Sequence, residues 1–160
     1  MRDRIWNNLA NIRYKAIYMH ECSKLVAKLG RFYSFFLAII STSSVAAWAL
    51  WQEYPSVWAI IVAVSQILHV AKPYIPYIKY DKEYLEMHFK FENLYLKYER
   101  LWFKFESNKI KDSDIEDYFY KLREQENKIQ EAHKNSPTPE LIYLMDRSDK
   151  KLYSILNLNF

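Results

Sequence analysis

Four histidines and one cysteine could bind a metal or act as nucleophiles, and they are scattered along the sequence. The histidines are His20, His69, His88 and His133. Only His88 and Glu92 have the four-residue spacing that places two ligands on one helix face. Such a pair is more often part of a solvated helix surface, so the sequence predicts no metal site.

The sequence also lacks catalytic motifs. No Ser, Cys or Asp stands in a nucleophile motif, and no pair of carboxylates has a setting that would tune its acidity. Gly30 is the single glycine, so the chain has no glycine-rich loop that could bind phosphate. We expect a protein that is not an enzyme and has no cofactor. The single cysteine, Cys22, excludes an internal disulfide and fits a reducing compartment.

The hydrophobic and charged residues occupy different parts of the chain. The 160 residues are 51% hydrophobic and 26% charged, yet no charge occurs from Phe32 to Gln52 or from Tyr54 to Ala71. Glu53 alone separates these two runs. A bilayer core of about 30 Å requires about 20 helical residues, which is close to the length of each run. The sequence therefore predicts a two-helix transmembrane hairpin over residues 32–71, within an all-α membrane protein.

Positive charge predicts how this hairpin is oriented. Lysines and arginines precede Phe32 and follow Ala71, whereas the turn from Gln52 to Ser56 carries none. Positive residues beside a span mark its cytoplasmic side, so both termini are expected to be cytoplasmic. Because the same residues account for the net charge of +4, no direct contact with nucleic acid is expected.

The segments outside the hairpin are predicted to form a cytoplasmic bundle. Residues 1–31 form an N-terminal amphipathic helix, and residues 72–134 form a helical region in which a further helix begins near Ser113. Ser113 and Glu116 have the spacing of a capping box. Residues 135–160 form a tail, which is either a docking helix or a loosely held strap.

A heptad stripe runs along DKEYLEMHFKFENLYLKYERLWFKFE and predicts a contact between copies of the chain. The N-terminal helix has a similar apolar rhythm and offers the stripe one partner. Four further apolar residues widen the stripe beyond what one neighbouring helix can cover, which favours a homo-oligomer. They are Leu85, Phe89, Leu96 and Phe103. The candidate oligomer interface consists of Tyr84, Met87, Phe91, Leu94, Tyr98, Leu101 and Phe105.

Small and polar residues inside the predicted hairpin allow two interpretations. They pack the two helices together, because small side chains let helices approach closely, or they line a water path in an oligomer. The residues concerned are Ser41, Ser44, Ser56, Ala59, Ala63 and Gln66.

The layout resembles the SLATT family, the two-transmembrane effector domains associated with prokaryotic nucleotide-signalling conflict systems. The resemblance covers roughly residues 10 to 130. It rests on Arg13, Tyr14 and Ala16, on Tyr54 and Pro55, on Ser65 to Leu68 with Pro73, and on Leu94, Tyr98, Leu101 and Trp102.

The resemblance implies an oligomeric effector that forms a pore or disrupts the inner membrane in anti-phage defence. Its cytoplasmic helices would respond to a sensor or a nucleotide-producing partner protein, and its surroundings would include membrane lipid. The implied location is the prokaryotic inner membrane, as a multi-pass protein. A holin-like toxin and a non-catalytic membrane scaffold or accessory subunit remain as alternatives.

Overall fold

The computed structural model describes residues 1–50, 55–71 and 79–156, with the backbone alone described at 40–50, 55, 57, 58, 71, 112 and 113. The described residues form helices without any strand, which confirms the all-α prediction. The helices are α1 Arg2–Leu50, α2 Pro55–Ala71, α3 Asp81–Glu106, α4 Asp112–Ala132 and α5 Ile142–Leu156.

The chain divides into two compact units. Unit 1 comprises Met1–Ser23 and Lys82–Phe160, and unit 2 comprises Lys24–Asp81. α1 therefore contributes its first half to unit 1 and its second half to unit 2. In unit 1, the N-terminal and C-terminal parts of the sequence share one core.

In unit 1, α1 and α3 run antiparallel. The rings of Trp6 and Trp102 lie 5.1 Å apart. Further along α1, Arg13 donates a hydrogen bond to the carboxylate of Glu92. The His88 ring nitrogen Nδ1 lies 2.9 Å from the carbonyl oxygen of Ala16. The predicted apolar rhythm of α1 supplies this contact, with Ile5, Leu9, Ile12, Ala16, Met19 and Cys22 buried.

The other helix that shares this core, α4, runs parallel to α1 and antiparallel to α3. Arg4 lies over the Phe119 ring at 5.1 Å, and Lys15 pairs with Glu126 at 2.6 Å. The helix begins at Asp112, after the N-cap residue Lys111, which makes no side-chain capping bond. Ser113 thus lies within the first turn rather than at the cap, although the predicted helix exists.

A tight turn joins α3 to α4, and an asparagine takes the position where glycine is usual. Asn108 has φ 50°, in the left-handed region that asparagine tolerates better than most residues. The amide of Lys109 donates to the carbonyl of Lys104 at 2.9 Å, which closes the end of the helix. The turn therefore ends α3 and brings α4 back along it without a glycine.

The described part of the C-terminal tail, residues 135–156, packs against the other helices of unit 1 and contains α5, so the docking-helix alternative is the one observed. The hydroxyl of Tyr18 donates to the carbonyl of Pro139, and Tyr84 donates to that of Pro137, so the segment before α5 is fastened from two helices. Leu144 and Ser148 of α5 are buried.

The predicted location in the inner membrane is wrong. Within the described ranges, no helix combines the length and the apolar character needed to cross a bilayer. α2, the second predicted span, has 17 residues, whereas about 20 are required for a core of about 30 Å. In α1 the charged residues extend to Arg31, and the side chains beyond residue 39 are outside the described part. Of the predicted turn from Gln52 to Ser56, residues 52–54 are also outside it.

Candidate functional site

The structure places the predicted oligomer interface on α3 mostly inside unit 1. Six of its seven residues are buried against the chain's own helices, and Phe105 is partly exposed. The buried residues are Tyr84, Met87, Phe91, Leu94, Tyr98 and Leu101. Because one chain already covers these side chains, any contact between copies would use a different face of α3.

The hydroxyl of Tyr98 distinguishes it from the other buried tyrosine of this face. It has no hydrogen-bond partner within the described residues, whereas the hydroxyl of Tyr84 donates to Pro137. Burial, together with the nearby Glu126 carboxylate, raises the pKa of Tyr98 well above its ordinary value.

Removing the Tyr98 hydroxyl is expected to stabilise the protein. An unpaired buried hydroxyl loses its hydration on folding and gains nothing in return, so Tyr98→Phe should raise the free energy of unfolding by about 1 kcal/mol. Tyr84→Phe should lower it by a similar amount, since it removes a hydrogen bond. Urea denaturation of both variants measures the difference, and equal losses for the two would contradict the assignment.

A line of exposed apolar residues follows the outer face of α3. Leu85, Phe89, Leu96 and Phe103 are 40%, 57%, 50% and 66% exposed. Their spacings of four, seven and seven residues keep them on one side of the helix. We call these four residues the outer line. Exposed apolar residues in a contiguous row are typical of surfaces that another molecule covers.

Charged residues border the outer line, and they differ along its length. Glu92, on the N-terminal half of α3, pairs with Arg13 of α1. Glu99 accepts a hydrogen bond from the Tyr95 hydroxyl at 2.9 Å. Arg100 is exposed and forms no ion pair within the part of the chain that the structure describes. Glu92 therefore lies before Leu96, whereas Glu99 and the guanidinium of Arg100 lie after it.

Two buried carboxylates, which sequence reasoning missed, fasten the helices of unit 1. Glu126 is 2% exposed and pairs with Lys15 at 2.6 Å and Arg123 at 2.7 Å. Glu126 occupies the next position in the apolar spacing of Ile115, Phe119 and Leu122, but it is charged. This charged residue at an inward-facing position was the available signal. The second carboxylate belongs to Glu21 of α1.

Glu21 links α1 to the C-terminal helix. Its side chain is 2% exposed and lies 2.5 Å from the Lys151 ammonium and 3.1 Å from Nε of Arg147. Both cations belong to α5. No pattern in the sequence indicated this pairing, because the partners are separated by more than a hundred residues.

The small and polar residues of the predicted hairpin lie in unit 2. Ser56, Ala59, Ala63 and Gln66 are exposed on α2. The side chains of Ser41 and Ser44 are outside the described part of the structure. The hydroxyl of Tyr33 donates to the carbonyl of Leu68, which connects α1 with α2 inside unit 2. Both interpretations of these small and polar residues, helix packing and a water path, stay predictions.

Two of the scattered histidines meet in the fold. The rings of His20 and His88 lie 4.4 Å apart, on facing sides of α1 and α3. No group of three metal-ligating side chains occurs among the described residues. Nearby, burial raises the pKa of Cys22 to about 11, so this thiol stays protonated at neutral pH.

Comparison of the chain with protein-family models, with curated proteins and with solved structures finds no match. The resemblance to the SLATT family therefore stays a prediction. The candidate site rests on the geometry of α3 alone.

Proposed function

We propose that this chain is a non-catalytic assembly module in which two copies associate through the outer line of α3. The pore-forming interpretation and the membrane scaffold alternative both required a location in the membrane. Only the binding role that the scaffold alternative gave to the helix of residues 81–106 is taken forward. The observation that carries the proposal is the row of Leu85, Phe89, Leu96 and Phe103, which the described chain leaves 40–66% exposed.

An antiparallel pair of α3 helices centred on Leu96 matches both the apolar and the charged positions. In a twofold-symmetric contact, residues at equal distances before and after the centre face each other. Phe89 and Phe103 both lie seven residues from Leu96, so Phe89 of one copy meets Phe103 of the other. Glu92 and Arg100 both lie four residues from it, so each acid meets a guanidinium.

Replacing Leu96 by Asp is expected to separate the copies. The symmetry places the two new carboxylates next to each other at the centre of an apolar contact, where charge is poorly tolerated. The dissociation constant should rise by about 100-fold, and sedimentation equilibrium would measure it. Ile142→Asp is the control, because Ile142 is exposed on α5, outside the outer line.

Two outcomes would refute the proposal. The first is a parent protein that remains monomeric up to about 1 mM, which is the weakest association worth considering. The second is a dimer that Leu96→Asp and Ile142→Asp weaken equally.

Cross-linking tests the orientation of the pair separately. A mixture of Phe89→Cys and Phe103→Cys should cross-link between copies with a short bismaleimide. Phe89→Cys alone should not, because its two copies would lie about 21 Å apart along the antiparallel pair. The native Cys22 is buried and is replaced by Ser in all of these proteins.

A further inference from the structure

A cavity of about 390 Å³ opens between α3 and α4, and its lining shares Arg100 with the border of the outer line. Four cationic side chains border it, and its lining contains no carboxylate. Its floor and inner wall are apolar. The cations are Lys97, Arg100, Lys104 and Lys121, and the apolar residues are Leu101, Ile110 and Leu122, with Tyr118 and Gln125 completing the lining.

These four cations differ from most of the other cations of unit 1 in their partners. Arg2, Arg13, Lys15 and Lys151, for example, each pair with a carboxylate. Within the described ranges, none of the four cavity cations forms such a pair. Like charges converge here without compensation, which raises the local affinity for an anion.

Neighbouring side chains position three of these cations. The ammonium groups of Lys104 and Lys121 lie 5.6 Å and 5.8 Å from the centre of the Tyr118 ring. That ring attracts both cations and holds them on the two walls of the cavity. The Lys97 ammonium donates to the side-chain oxygen of Gln125 at 2.7 Å, which fixes it across the gap between the helices.

We propose that this cavity binds a small phosphorylated molecule that carries at least two negative charges and an apolar or ring portion. The phosphate groups would bind Lys97, Lys104 and Lys121, because charge-assisted hydrogen bonds to phosphate are strong. The rest of the molecule would lie against Leu101, Ile110 and Leu122. We include this apolar or ring portion because the cavity is larger than a phosphate group alone would fill.

Calorimetric titration with adenosine triphosphate and with tripolyphosphate tests both parts of this proposal. The two probes share their phosphates, and only the first has a ring, so adenosine triphosphate should bind about tenfold more tightly. The double variant Lys104→Gln, Lys121→Gln should weaken both probes by about tenfold or more, because two cations are lost.

The control is the double variant Lys128→Gln, Lys150→Gln, which removes the same charge from exposed lysines outside the cavity. Equal weakening by the two double variants would show general attraction to a cationic protein and overturn the proposal. So would the absence of binding by either probe at millimolar concentration, or equal affinity for both probes. Circular dichroism verifies that each variant is folded.

These variants leave the four residues of the outer line unchanged. The proposal for the cavity and the proposal for the outer line can therefore be refuted separately. Loss of probe binding with an unchanged dissociation constant between copies concerns the cavity alone. Loss of assembly in Leu96→Asp with unchanged probe binding concerns the outer line alone.

Discussion

Phe91→Ala is expected to lower the free energy of unfolding by about 3–5 kcal/mol, the usual cost of truncating a fully packed phenylalanine. Phe91 is 2% exposed. The ammonium of Lys15 lies over the Phe91 ring, 5.9 Å from the ring centre. The substitution leaves a cavity beside α1 and α3, which the surrounding helices can fill only in part. Urea denaturation followed by circular dichroism measures the loss.

Phe89→Ala provides a matched control two residues away on the same helix. Phe89 is 57% exposed, so its truncation should change the free energy of unfolding by less than about 0.5 kcal/mol in the monomer. Both variants are measured at two protein concentrations, because any contribution from association depends on concentration. Similar losses for the two variants at low concentration would contradict the assigned faces of α3.

The double variant Arg147→Met, Lys151→Met is expected to release α5 from the other helices of unit 1. Both cations pair with the buried Glu21 carboxylate, and methionine retains most of their apolar stem while removing the charge. A buried carboxylate without its cations is unfavourable, so the free energy of unfolding should fall by about 2–3 kcal/mol. Proteolysis at residues 134–141 should become faster, because the docked helix no longer holds this segment.

Lys150→Met is the control for that experiment. Lys150 lies between the two partners of Glu21, yet it pairs with Asp146 on the exposed side of the same helix. Its replacement should affect stability by less than about 0.5 kcal/mol, as is usual for an exposed pair. If Lys150→Met and the double variant proved equally sensitive to protease, the Glu21 contacts would not be what docks α5.

Adding Glu21→Met to the double variant separates the cost of an unpaired charge from the loss of contact area. If the unpaired carboxylate causes most of the destabilisation, the triple variant should be more stable than the double variant. Further destabilisation would mean that burial of the charge contributes little.

The helical periodicity of the sequence determined much of unit 1. The apolar residues of α1 recur every three or four positions from Ile5 to Cys22, and the structure buries them. The stripe on α3 likewise marked buried positions, because a helix with one apolar face must cover it. Periodicity does not specify every covering partner, so the N-terminal helix was predicted to cover part of the stripe and the remainder was assigned to a second copy rather than to α4.

The prediction of two membrane spans from the hydrophobic runs was wrong, also because a local pattern does not specify what surrounds it. The long uncharged stretches after Arg31 predicted two spans, since hydropathy alone cannot separate a bilayer from other apolar surroundings. The described part of α2 has 17 residues, and no helix among the described residues could cross a bilayer. A long uncharged run is therefore insufficient by itself to predict a span.

The sequence by itself determined that the chain is helical, where most helices lie and which faces are apolar, because these follow from local periodicity. Only the tertiary structure decided which distant residues meet. It joins Glu21 to Lys151 and brings Lys104 of α3 near Lys121 of α4 around Tyr118. Such contacts depend on how helices cross and on how the Asn108 turn returns the chain, which local side-chain spacing does not encode.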